Sequence, residues 1–153
     1  MRASVSRSRA WIGAVALLPG VMACGGSPGP SLAHEEPAIV EALDGDASRH
    51  RITLTEKAAQ RLGIELAHAS AATGAAGSIH LPYSAVIYDA EGNAWTYVAE
   101  QPLVFVREPV TVDNVLPNDF GGLAVLSQGP PVGTSVVSVG VAELFGTEFS
   151  VGH

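Results

Sequence analysis

The sequence contains no long run with the 3.6-residue apolar period that a helical hairpin or bundle needs. Beyond His80 the apolar residues recur instead at every second position, in short runs closed by glycine, proline or asparagine. Alternation at a period of two puts one face of an extended segment inside and the other in water. A chain punctuated by 17 glycines and 10 prolines has many turns to place between such segments. The expected architecture is therefore mainly β: a small α+β domain, a β-roll of mixed antiparallel sheet with one short helix near its start and a short helix at its end.

The elements follow from local cues. Arg51–Leu54 alternates as a strand, and Thr55 is placed to cap a helix over Glu56–Leu62, where Glu56 suits the positive end of the helix dipole. Ala58, Ala59 and Leu62 form the buried stripe of that helix, and Gly63 is the expected left-handed terminator, with Ile64 folding back. Ile64–His68 reads as a strand. The small-residue stretch 69–78 reads as a connection. Strands are then expected over Ser84–Tyr88, Ala94–Ala99, Leu103–Arg107, Val110–Val115, Leu123–Leu126 and Ser135–Val139. Turns at 89–93, 118–122 and 128–133 separate them, with Gly92 and Gly133 as structural turn residues. Pro109 argues for an edge or a bulge. Gly140–Phe145 is expected to form one or two helical turns, with Val141, Leu144 and Phe145 covering an open end of the sheet.

The N-terminal segment has a different logic. Arg2, Arg7 and Arg9 precede an uncharged apolar run, Ala10–Met22, too short to span a bilayer, which takes about 20 residues. A positive flank, a short apolar core and a small residue before the cut are the parts of a signal peptide. Val21-Met22-Ala23-Cys24 resembles the bacterial lipobox. That resemblance implies cleavage before Cys24, the one cysteine of the chain, and attachment of diacylglycerol and palmitate-type acyl chains to it. Two or more chains anchor firmly where one is marginal. The expected organisation is a signal peptide over 1–23, a flexible acidic Gly/Pro tether over 24–48 and a β domain over 49–153. The product is expected on the extracytoplasmic face of a membrane, with membrane lipid as its first partner.

Charge narrows the other partners. All fifteen acidic residues lie beyond Cys24, where only five of the eight bases remain. Such a chain repels phosphate backbones and anionic headgroups, so nucleic-acid binding is not expected.

Catalytic and metal-binding patterns are weak. The sequence has no phosphate loop, no G-x-S-x-G elbow and no H-E-x-x-H pair. His34-Glu35-Glu36 lies in the tether, where a metal site would lack preorganisation. Asp89-x-Glu91-x-Asn93 begins like a calcium loop, but its glycine falls at the fourth position, so a hairpin turn is the expected reading. His68 and His80 flank the connection, and with His50 they would form a metal site only if the fold brought the three together; His153 stands apart. Trp95, Tyr97 and Phe105 read as core residues before they read as a stacking platform. No catalytic residue, metal or cofactor is expected.

Four phrases together resemble a known family. Ile52–Glu65 (ITLTEKAAQRLGIE) resembles the opening of the membrane-proximal domain in periplasmic adaptor subunits (membrane fusion proteins) of bacterial efflux systems. Leu81–Val98, Val104–Val112 and Pro131–Leu144 are similar to the family's strand-turn-strand, its "F-x-x-R-x-V-x-V" strand and its closing "G-x-x-V-V-x-x-G-A" phrase. In that family the domain is made from both ends of a longer chain, and the stretch 69–78 stands where the other domains would be inserted. The resemblance implies a non-enzymatic domain that docks on or modulates a membrane transporter. A small-ligand or metal-binding lipoprotein is the alternative, and an enzyme the least supported reading.

Overall fold

A computed structural model describes residues 36–43, 45–71 and 78–150, all within the unit His34–His153. Ten strands and two α-helices succeed one another: β1 (Ala38–Leu43), β2 (Asp46–Leu54), α1 (Glu56–Leu62), β3 (Glu65–His68), β4 (Ser70–Ala71), β5 (Ile79–Pro82), β6 (Ile87–Tyr88), β7 (Ala94–Gln101), β8 (Val104–Leu116), β9 (Leu123–Gln128), β10 (Ser135–Val139) and α2 (Val141–Ser150). A short 3₁₀ turn, Tyr83–Ala85, precedes β6. The domain is thus mainly β with two helices, and every strand pairing in it is antiparallel.

The 13-residue β8 organises the sheet. Along one edge it pairs with β7 from Val104 to Val110. Along the other it meets β2 over Val104–Val106 and β9 over Thr111–Leu116. Pro109 falls in the gap between those two partners, where its missing N–H removes no ladder bond. Leu103–Arg107 and Val110–Val115 are therefore one strand where the sequence reading has two. Bulges on either side of Val112 lie within the β8–β9 ladder itself.

Two apolar clusters lie on opposite faces of β7. Ile52, Leu54, Ala58, Tyr97, Phe105, Val137, Val141 and Leu144 pack under the two helices. Val98 and Val136, on the reverse face, pack with Leu81, Val110, Ala124 and Leu126. The second half of β8 therefore carries β9 and β5 back over the first half of the sheet. A fully buried Leu, Ile or Val side chain contributes about 1.5–3 kcal/mol, so packing decides the fate of elements too short to stand alone.

Helix α1 is such an element. Thr55 Oγ1 accepts the Ala58 N–H at 3.2 Å, and Gly63, at φ 65 and ψ 36, ends the helix. The Gly63 and Ile64 N–H groups then bond back to the Gln60 and Ala59 carbonyls at 3.2 and 3.1 Å, a Schellman closure.

Three expectations need correction. The tether expected over 24–48 ends earlier, because β1 and the first three residues of β2 lie within it. Residues 38–43 show little alternation, and their order comes from pairing with β2 from Ala38↔Leu54 onward. The strand expected over Ser84–Tyr88 is a 3₁₀ turn followed by the two-residue β6, while the strand before it is β5. The connection 69–78 contains β4, paired with β5 through Ser70↔His80.

Candidate functional site

Beneath α2, three polar side chains from distant segments converge on one carboxylate. Tyr97 and Arg107 face each other across the β7–β8 ladder and so share the helix-covered face of the sheet. Glu148 descends onto them from α2, its side chain fully buried. The Tyr97 hydroxyl donates to Glu148 Oε2 at 2.5 Å, and Arg107 Nε lies 3.1 Å from the same oxygen. The angle at that guanidinium N–H is not that of a hydrogen bond, so charge holds the pair. His50 Nδ1, on β2, lies 3.1 Å from Glu148 Oε1. Arg107 also donates through Nη2 to the Ser48 carbonyl at 2.7 Å.

Aromatic rings enclose the guanidinium. Its central carbon lies 4.1 Å from the Trp95 ring centre and 5.1 Å from that of Phe149, distances at which a cation is attracted to a ring face. Burial and, secondly, the bond to Glu148 push the Tyr97 hydroxyl far above the usual phenol range, so it remains a donor. A buried carboxylate paired with a cation and a hydroxyl fastens α2 to the sheet.

Trp95 links this cluster to the β6–β7 hairpin. Its indole N–H donates to Asp89 Oδ2 at 2.9 Å. Asp89 also accepts from the Asn93 side chain and from the Glu91 and Asn93 backbone N–H groups. These bonds to its charged form lower the Asp89 carboxyl to about 2, the Asn93 side chain contributing most. The turn is built on its own aspartate, with Gly92 at φ 86.

The three histidines do not meet. His50 faces Glu148, His68 Nδ1 lies 3.3 Å from Ser135 Oγ, and His80 pairs in β5 with Ser70. Among the described residues no group of three or more His, Cys, Asp or Glu side chains is placed to hold a metal. Tyr97 and Phe105 are buried in the core and Trp95 is occupied by Arg107. Gly133, at φ 91, turns the chain before β10. Cys24, His34, Glu35 and His153 lie outside the described residues, and Glu36 is exposed.

Among the described residues, two grooves open on the surface. One, of about 440 Å³, runs between the Ile79 end of β5, Pro109–Thr111 and Ser127–Gly129. The other, of about 410 Å³, lies between Ala59, Ile64 and Leu66 on one side and Gln101–Leu103 on the other. No acidic, basic, histidine or cysteine side chain is among the residues lining either; the first mixes Thr, Ser and Gln with apolar side chains, and the second is mostly apolar.

Among the described residues, the β8–β9 hairpin supplies the most exposed aromatic group. Its turn is ordered by Asn118, whose Oδ1 accepts the N–H of Phe120 at 2.9 Å and of Gly122 at 2.7 Å. The Tyr83 N–H donates to the Gly122 carbonyl at 3.0 Å and ties the turn to the domain. Phe120 stands 90% exposed at its tip. Sequence reading identifies 118–122 only as a turn; the available signal is a phenylalanine among Asn, Asp and Gly with no alternating neighbour to bury it. The Arg107–Glu148 pair had a fainter one, Arg107 being the last basic residue of the sequence.

No family model matches the chain, and neither a curated protein nor a solved structure matches it.

Proposed function

We propose that this chain is a lipid-anchored extracytoplasmic lipoprotein whose β domain, without enzymatic activity of its own, docks on or modulates a transporter in the same membrane. One observation carries the reading. β2 and β3, which flank α1 in the first family-like phrase, pair with β8 and β10 from the third and fourth phrases. Segments on the two sides of the 69–78 connection thus build a single sheet, as the resemblance implies for a domain assembled from both ends of a longer chain. Among the described residues no helix is long and apolar enough to cross a membrane. In this reading attachment rests on Cys24 and its acyl chains.

Two measurements test the proposal. Labelled palmitate is expected in the full chain and not in Cys24→Ser; equal labelling of both would remove the anchor. Affinity purification of the full chain from solubilised membranes, with Cys24→Ser as the comparison, is expected to recover a transporter subunit. Recovery of the chain without any membrane protein would remove the docking role.

A further inference from the structure

An isolated apolar residue on a protein surface needs no explanation. Phe120 differs in how it is held. The two bonds accepted by Asn118 Oδ1 and the Tyr83–Gly122 bond fix the turn on both sides of the ring. Gly122, at φ 107, lets the chain pass close to Val115 and Tyr83, where a Cβ would lie 3.3 Å from Val115 Cγ1. The ordering cost of presenting the ring is thus met before any contact is made, which is the condition for a preorganised anchor. Val115 and Leu116, at the end of β8 beside the turn, are also exposed and extend the apolar surface.

Charge selects the kind of partner. Asp113 and Asp119 flank these residues, and no Lys or Arg follows Arg107 in the sequence, Arg107 itself being buried. The residues of the tip itself therefore combine apolar surface with negative charge and include no Lys or Arg. Anionic lipid headgroups repel that combination, whereas an apolar protein pocket rimmed by basic side chains attracts it.

We infer that the β8–β9 tip is a protein-docking element, in which Phe120 enters an apolar socket rimmed by Lys or Arg on a partner protein. The inference rests on the docking reading above and names its contact surface. An anchoring aromatic seated in a desolvated pocket is the usual energetic centre of such an interface, and the flanking aspartates supply attraction and orientation.

The test is site-specific photocrosslinking with the full chain in the membranes of the cells that make it. Phe120→p-benzoylphenylalanine is expected to give one discrete protein adduct, and the same reagent at Ile39, exposed on β1, is expected to give none of that mass. Peptide mapping of the adduct should place position 120 beside apolar residues with Lys or Arg around them. Adduct yield should fall at least about fivefold in the Asp113→Asn/Asp119→Asn background, or on raising salt from about 0.1 to about 0.5 M. Each variant should keep the parent's unfolding midpoint, because the substituted side chains are exposed. Adducts only to lipid, adducts only to a second copy of this chain, no adduct, or a yield indifferent to charge and salt would each overturn the inference. A mapped, charge-dependent adduct to a soluble protein would keep it and remove the transporter reading. Transporter recovery unchanged by Phe120→Ala would do the reverse.

Discussion

The hydroxyl of Tyr97 donates to Glu148 across 2.5 Å, joining the middle of β7 to the last turns of α2 over 51 residues of sequence. The carboxylate is fully buried, and each of its oxygens has a partner: Tyr97 and Arg107 at Oε2, His50 at Oε1. A buried charge is sustainable on those terms, and removing one partner strands the other.

Glu148→Ala is therefore expected to cost about 3–5 kcal/mol, since it leaves the Arg107 guanidinium buried and uncompensated. Tyr97→Phe, which removes one bond to a charged acceptor, should cost about 1.5–3 kcal/mol. Urea unfolding of the two variants against the parent measures both. A cost below about 1 kcal/mol for Glu148→Ala would show that the cluster does not hold the helix.

Arg107→Lys keeps the charge and loses the planar group. The ring contact with Trp95 at 4.1 Å and the Nη2 bond to Ser48 both depend on the guanidinium. A loss of about 1–2 kcal/mol is expected, with a change in tryptophan fluorescence. In a chain beginning at Cys24, Trp95 is the sole tryptophan, so that signal reports directly on the contact.

Asp89 makes the β6–β7 turn sensitive to acid. Its folded carboxyl is lowered to about 2, below the value of about 3.9 in an unfolded chain. As pH falls, the unfolded chain takes up the proton first. The contribution of Asp89 is thus complete above about pH 4 and is lost as pH falls towards about 2. Asp89→Asn should lower stability at neutral pH and flatten its dependence across that window. Unfolding midpoints at neutral pH and through the acid range decide it; an unchanged slope would count against the role.

Gly63 and Gly140 separate two effects of adding a Cβ. At Gly63 the φ of 65 is left-handed but the space is open, so Gly63→Ala should cost about 1 kcal/mol. At Gly140, φ is 88, and a Cβ would press on Ile64 Cδ1 and lie 3.4 Å from the Leu62 carbonyl. Gly140→Ala should exceed Gly63→Ala by at least about 1 kcal/mol in thermal or urea unfolding.

Legibility in the sequence follows the range of the interactions. Helix α1 was readable to its ends because Thr55, Gly63 and Ile64 act on backbone groups within a few residues. Strand β10 was readable because its short apolar run is closed by Gly133 and Gly140. The β1 strand was not, because its order comes from β2 and its composition is that of a linker. The continuity of β8 through Pro109 was hidden as well, since it depends on which partner stands opposite that residue. The 3₁₀ turn at Tyr83–Ala85 was misread as strand; its backbone is held by Gly122, and Thr96 Oγ1 donates to the Ala85 carbonyl, contacts no local pattern announces.

The amino-acid order alone determined the β-rich class, the helix that Thr55 and Gly63 delimit, the turns, and the absence of the usual catalytic motifs. Those properties arise from alternation, caps and turn residues, which act over a few bonds of chain. Tertiary structure alone decided that Glu148 meets Tyr97, Arg107 and His50, that the histidines stay apart, and that Phe120 remains outside. Burial and pairing are properties of surfaces brought together from distant segments, and a local pattern records only one side of each such contact.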